Sequence, residues 1–448
     1  MNSLLTRRAL LRRTTVAGIG LASAAVFTSC AGGVGKPAPA VVKAEYWHSW
    51  STPPVVKAVA DATAEYNAQH PGREVIARWG IPATRALLAV AGGQPPDIVT
   101  LYPGGTLSEW ANNGALRSLT PLVQASRYDL TRFVQSQITH AIFDGQLYAL
   151  PLGMGAYMFY YDRKIFQAAG ISAPPKTLQE AQQISQKLTE KSLGGFARVG
   201  FLPFAGFSGN GSGFSLYSYL FGGKIWSVKE QRFTINTPAN LAALRWLTDY
   251  YRAYGPTAVD KFTAGFGNQA QDPFFAGKLA MEINGQWQVF NAKNFKPNLD
   301  YDVAPIPYDE QHPQLRNSTM TRGNSLVLPK GSHHVEEGWS FITWMQTGNA
   351  PVIMAKAVNN MPAVRSYLSD PRLTSIDPRY ARFLAYLRNG NVQPQWPPTP
   401  VTGILPNAFQ TDVDAATHGA ESPQQALAHI ELVMQENLAA MQRRGKSA

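Results

Sequence analysis

Residues 41–102 decide the fold class. They open on Val41-Val-Lys-Ala-Glu-Tyr46, a short run with β-branched residues that reads as a strand. Ser51-Thr-Pro-Pro54 follows, with proline in the first helical turn, where its missing N–H leaves no bond unmade. Val55, Val56, Val59, Ala62, Thr63 and Tyr66 then recur at helical spacing until Pro71-Gly72 ends the element. Arg73-Glu-Val-Ile-Ala-Arg-Trp79 returns to strand. Pro96-Asp-Ile-Val-Thr-Leu-Tyr102 is another, followed by Gly104-Gly105 and a helix closed by Asn113-Gly114. This strand–helix–strand alternation predicts an α/β lobe with a largely parallel sheet.

Working outward, Asp144-Gly145 is a hairpin turn between Ala141-Ile-Phe143 and Leu147-Tyr-Ala-Leu150. The apolar run Met158-Phe-Tyr-Tyr161 comes next. Thr177 with Glu180 three residues on is a capping box, opening a helix to about Lys191. The stretch Phe201 to Ser215 reads as loop, with Gly206, Gly209, Gly211 and Gly213. Further helices are expected at 238–254, 334–347 and 423–442, the last capped by Ser422 with Pro423 and Gln425, and the middle one by Ser332.

Of 448 residues, 45% are hydrophobic, 11% aromatic and only 15% charged, ample for folded cores of two domains, or three. The net charge of +11 points first to nucleic acid. Arg7, Arg8, Arg12 and Arg13, with no acid among residues 1–30, hold four of those charges. The rest is spread thinly, so a nucleic-acid partner is not expected.

That same segment is an address. Basic residues precede the apolar stretch Val16 to Phe27, which is too short to cross ~30 Å of hydrocarbon. Thr6-Arg-Arg-Ala-Leu-Leu-Arg12 resembles a twin-arginine export signal. Phe27-Thr-Ser-Cys30 resembles a lipobox, with Phe27 where Leu is usual. The competing reading is an ordinary secretory signal with a chance cysteine. Cys30 is the single cysteine of the chain, which excludes intrachain disulfides and cysteine-based metal clusters. Residues 1–29 are expected to be removed and Cys30 lipidated. Residues 30–41 then tether the body to the outer face of the cell membrane.

Catalytic chemistry finds no foothold. The glycine-rich loop Ala205 to Gly213 lacks the Lys-Ser/Thr pair of a phosphate cradle, although Asn210 and Ser212 are within reach of a ligand there. His333-His-Val-Glu-Glu337 does not hold a His-Glu-x-x-His spacing. No Gly-x-Ser-x-Gly elbow occurs. Glu109, Asp144, Glu282, Asp300 and Asp302 supply carboxylates that sequence cannot pair into a glycosidase. Tyr160-Tyr161 fits core and rim better than iron ligation. No cofactor or metal is expected.

Aromatic residues carry more. Trp47, Trp50, Tyr102, Trp287 and Trp396 stand near Gly, Pro, Ser or Asn at the ends of expected elements. An indole there either joins the core or stacks on the C–H face of a sugar while neighbouring amides and hydroxyls take its hydroxyl groups. Spacing alone leaves both readings open for each residue.

In chain order, several strings resemble the carbohydrate-type solute-binding proteins of bacterial ABC importers, the family that includes maltose-binding protein. They are Glu65-Tyr-Asn-Ala-Gln-His-Pro-Gly72, Gly92-Gly-Gln-Pro-Pro-Asp-Ile-Val99, Asn113-Gly-Ala-Leu-Arg-Ser-Leu-Thr-Pro-Leu122 and Asp144-Gly-Gln-Leu-Tyr-Ala-Leu-Pro151. Tyr160-Tyr-Asp-Arg-Lys-Ile-Phe-Gln-Ala-Ala-Gly170 and Pro175-Lys-Thr177 with Glu180 continue the series, Leu178 replacing the frequent Trp. The most distinctive is Phe275-Ala-Gly-Lys-Leu-Ala-Met-Glu-Ile-Asn-Gly-Gln-Trp287.

The resemblance implies a two-lobed α/β periplasmic-binding-protein fold whose hinge the chain crosses near Pro151–Tyr157, near Asn317–Arg322 and near Met361. Residues 42–152 with 320–360 would form the N-terminal lobe, and 153–319 with 361–448 the C-terminal lobe. A monomer would trap a di- or oligosaccharide between the lobes and hand it to the permease, without making or breaking a bond. The ligand would meet Trp47, His48, Ser49, Trp50, Tyr102, Gly155, Tyr157, Asn210, Ser212, Asn284, Trp287, Arg322, Gly323, Asn324 and Trp396. Trp287 is the strongest carry-over, since the family places a sugar-stacking Trp after this turn. Tyr102 stands where many relatives carry Asp, and Arg322 where relatives often have Gly. Relatives that bind glycerophosphodiesters tend to carry a late Arg, which Trp396-Pro-Pro-Thr-Pro-Val-Thr-Gly403 lacks, so an uncharged ligand is expected. The alternatives are a glycerophosphodiester or other polar solute, a secreted carbohydrate-active enzyme, and a surface adhesin.

Overall fold

The computed structural model describes residues 41–446 except 103–104, 205–209 and 268, and except the side chains of 105, 210–212 and 444–446. The export signal, Cys30 and most of the tether lie outside the described residues. Ten strands join in one sheet: β1 (Val42–Trp47), β2 (Arg73–Arg78), β3 (Ile98–Leu101), β4 (Leu150–Asp162), β5 (Glu190–Ser192), β6 (Gly195–Phe201), β7 (Leu279–Gly285), β8 (Tyr301–Ala304), β9 (Ser318–Val327) and β10 (Asn391–Pro394). Their order is β2-β1-β3-β9-β4-β7-β6-β5, with β8 also paired to β4 and β10 to β9.

The parallel pairing expected of the first lobe holds for β1, β2 and β3, while the whole sheet is mixed. β1 runs parallel to β2 and β3, as helical crossovers require. The long strands β4 and β9 enter antiparallel to each other, and β9 antiparallel to β3. β7 pairs antiparallel with β4 and parallel with β6. The expected strand at 158–161 is only the end of β4, whose thirteen residues begin at Leu150.

Alternation along β4 sends side chains to separate cores. Phe159 enters one with Phe201, Phe214, Leu244, Met281 and Phe409. Tyr160 enters another with Phe274, Tyr380 and Phe383. A third core gathers Tyr46, Tyr66, Leu101, Trp110, Leu150, Leu328 and Phe341 from the chain on either side of β9's far end. Each such side chain contributes ~1.5–3 kcal/mol relative to exposure. These cores make a two-lobed body with β4 and β9 running from lobe to lobe. Met154 and Met361 exchange backbone bonds of 2.7 and 2.8 Å, tying the third segment to β4.

Local signals behave as their chemistry dictates. Asp144 and Gly145 take φ of 48° and 72°, the two positive values of a tight hairpin turn. Thr177 Oγ1 accepts from Glu180 N at 3.1 Å, and the Glu180 carboxylate accepts from Lys176 N at 2.6 Å. That helix stops at Leu188, short of Lys191, because Glu190–Ser192 pair with β6. Ser422 and Gln425 form a reciprocal cap on Pro423–Lys446. Ser332 does not cap the helix Val335–Trp344; its hydroxyl donates to Asp97 at 2.9 Å, and His334 holds the cap position. The expected loop 201–215 ends early, with a helix running Asn210–Leu220.

Candidate binding cleft

Two groups of site residues flank one stretch of β9. The first stands at the carboxyl ends of β1 and β3, where loops leave a parallel sheet and ligands settle. Trp50 donates its indole N–H to Tyr102 Oη at 3.1 Å, and Tyr102 is 52% exposed. His48 packs 5.4 Å from the Trp50 ring; burial lowers its pKa to about 4, so it is neutral at pH 7. Its Nδ1 is buried without a hydrogen-bond partner among the described residues. Trp47 is held in place by Glu45, which accepts its indole N–H at 2.9 Å. Ser49 is half-buried beside them.

The second group centres on Trp287, half-buried at the start of the helix Trp287–Phe295 that follows β7. Tyr157 meets its ring edge-on at 5.7 Å. The Arg322 guanidinium lies over it at 5.1 Å. Gly155 leaves the room for this packing, since a Cβ there would sit 3.1 Å from the indole. Leu101 pairs with Ser325 and Gly155 with Arg322. At about 3.3 Å per residue, the two groups are therefore ~10 Å apart along β9. Asn324, 5% exposed, lies between them. Gly323 is buried, and a Cβ there would press on the Gly153 carbonyl and the Gln137 amide oxygen.

Other expected residues stand elsewhere. Asn284 is 4% exposed; it donates to Glu282 at 3.1 Å and accepts from Gly285 N at 2.8 Å. It shares β7's opposite face with Glu282, where Gln288 bridges the Asp272 and Glu282 carboxylates at 2.8 and 2.9 Å. Burial and the Asp272 charge push Glu282 well above the usual carboxylate range. Trp396, 6% exposed, packs in the core with Met320 and Val401, the core reading of this indole. Asn210 and Ser212 belong to the first turn of their helix, and their side chains lie outside the described residues.

Gln286 was not anticipated. It is wholly buried, accepts from Ala156 N at 3.0 Å, and donates to Asn359 O and Asn360 Oδ1 at 2.9 and 3.0 Å. It thus joins β4, the Trp287 turn and the chain before Met361. The signal was its place inside the quoted string, directly before Trp287. Gln395 was missed too; it approaches Tyr157 Oη at 3.5 Å and lines an adjoining cavity of about 980 Å³ with Ser215, Tyr219 and Trp226.

Residues 49–347 match the model of a family described as bacterial extracellular solute-binding proteins. Binding proteins of Brucella abortus are 27% identical over 224 residues, 48% of this chain and 50% of theirs. The chain spans about half the length of these relatives. An uncharacterised ABC transporter extracellular-binding protein of Pyrococcus horikoshii is 22% identical over 410 residues, 87% of each chain. The structure of CpMnBP1 with mannobiose bound is 26% identical and has a TM-score of 0.72, covering 88% of this chain and 99% of that one.

Proposed function

The chain belongs to the bacterial extracellular solute-binding proteins, and from that premise we propose that it captures a di- or oligosaccharide between its lobes and delivers it to an ABC importer. The observation that carries this reading is the half-buried Trp287, edged by Tyr157 and seated over Gly155. With Arg322 over one side of the ring, the part of the indole left exposed offers an apolar surface to a pyranose ring. Trp50, Tyr102, Asn324 and Arg322 flank it and supply hydrogen bonds to hydroxyl groups. CpMnBP1, the relative with mannobiose bound, supports this ligand class.

The lobes are 42–152 with 320–360 and 153–319 with 361–448, and they close around the sugar because the closed state gains contacts that the open state lacks. A lipid on Cys30 holds the monomer at the outer face of the membrane, where the permease meets it. The sugar leaves unaltered, so the chain acts as a carrier and not an enzyme.

Titration calorimetry against mannobiose, mannotriose, maltose and maltotriose tests the ligand. We expect saturable binding to at least one, weakened roughly tenfold to a hundredfold in Trp287→Ala by loss of the stacking face. Binding that survives this change would remove Trp287 from the site. A phosphodiester or peptide bound where all sugars fail would overturn the ligand class.

A further inference from the structure

Arg322 is the one charged side chain among the expected ligand contacts, and no acidic group answers its charge among the described residues. Its guanidinium lies over Trp287, yet it has no ion pair and no hydrogen bond among the described residues. The nearby acids are committed elsewhere. Glu45 binds Trp47 and Arg78. Asp97 accepts from Glu45 N, Ser332 and His334. Glu282 and Asp272 share Gln288 on the opposite face of β7. Residues 47–54, 102–106, 153–158, 203–215, 284–289, 318–325 and 395–405, which carry the described and expected site residues, contain no Asp or Glu.

A half-buried cation without a counter-charge is costly. The cation–π contact with the indole uses none of the guanidinium's N–H donors, which remain free to bind an acceptor. A neutral sugar hydroxyl donates as well as accepts, and a carboxylate is the strong acceptor it would need here. Beside Asn324 and the neutral His48, which can accept, this surface presents two donors, the Arg322 guanidinium and the Tyr102 hydroxyl. An acceptor-rich anionic group matches that inventory, bound by two parallel N–H···O bonds.

We infer that the bound carbohydrate carries an anionic group, a carboxylate or a phosphate, which pairs with Arg322 while its ring stacks on Trp287. This rests on the carbohydrate reading and replaces the uncharged ligand that the absence of a late arginine suggested.

Calorimetry on the purified protein with digalacturonate, trehalose 6-phosphate, and the neutral mannobiose and trehalose separates the cases. The expected result is that one acidic sugar binds at least about tenfold more tightly than either neutral sugar, its affinity falling as NaCl is raised. Digalacturonate or trehalose 6-phosphate as the tighter ligand identifies carboxylate or phosphate. Arg322→Gln should lower the acidic sugar's affinity by roughly tenfold to a hundredfold and that of a neutral sugar by less than about threefold, with Arg322→Lys between. Equal or tighter binding of the neutral sugars would overturn the inference and leave the carbohydrate reading standing. Inorganic phosphate bound as tightly as the sugar would overturn it also, since the ring would then contribute nothing. Failure of every sugar, acidic and neutral, would overturn both.

Discussion

Gln286→Ala removes the amide that joins three segments beneath the cleft. The side chain is wholly buried and makes three hydrogen bonds, of 2.9 to 3.0 Å. Truncation leaves the buried Ala156 N–H without its acceptor, at about 1–3 kcal/mol. Asn359 and Asn360 are half-buried, so water replaces part of their bonding and each adds about 0.5–1 kcal/mol. The expected loss is about 3 kcal/mol of unfolding free energy, read from urea titrations followed by circular dichroism. Gln286 and Trp287 both press against the space at Gly155, so the indole also loses its support and sugar affinity should fall. Gln286→Glu keeps an acceptor for Ala156 N but loses the donors to Asn359 O and Asn360 Oδ1 and buries a carboxylate against both oxygens, so it should destabilise at least as much as the alanine. A stability change below about 1 kcal/mol in Gln286→Ala would refute the claim that this amide holds the crossing segments together.

Asp97→Asn should cost about 2–3 kcal/mol at pH 7, because the carboxylate accepts from Glu45 N, Ser332 and His334 in a buried site. Burial raises its pKa, but those donors outweigh burial and hold it below the usual range; its stabilisation is therefore present above about pH 4 and lost as pH falls through the depressed folded value, a slope the variant should lack in acid titrations. Glu282→Gln acts with the opposite sign: burial raises that carboxyl, so the parent loses stability as pH rises from about 4.5 toward the folded value, and the variant's melting temperature should fall less over that range. Gly323→Ala should destabilise by about 1–3 kcal/mol, since the added methyl meets the Gly153 carbonyl and Gln137 with no space to move into, and denaturant unfolding measures it.

Much of this fold was legible because its signals are local. Proline at the first turn, the Asp144-Gly145 turn and the Ser422–Gln425 cap fix elements from a few adjacent residues. The mixed sheet was not legible, because β4 and β9 are paired across 165 or more residues and period-2 patterning says nothing about partner direction. At the cleft, Trp287 follows from its string and Tyr157 and Gly155 from the expected hinge strand, and the structure sets them in contact. Asn284 and Trp396 were named with them, yet one faces the Glu282 network and the other the core. Which face of a strand meets a cleft depends on tertiary packing that residue type does not encode. Ser332 failed as a cap for a similar reason: a buried carboxylate from another segment was the better partner for its hydroxyl.

Small-angle scattering with and without a saturating sugar tests capture between the lobes most directly. The account predicts a smaller radius of gyration in the bound state, with Trp287→Ala needing roughly tenfold to a hundredfold more sugar to reach the same compaction. Saturable binding with superimposable curves would contradict it.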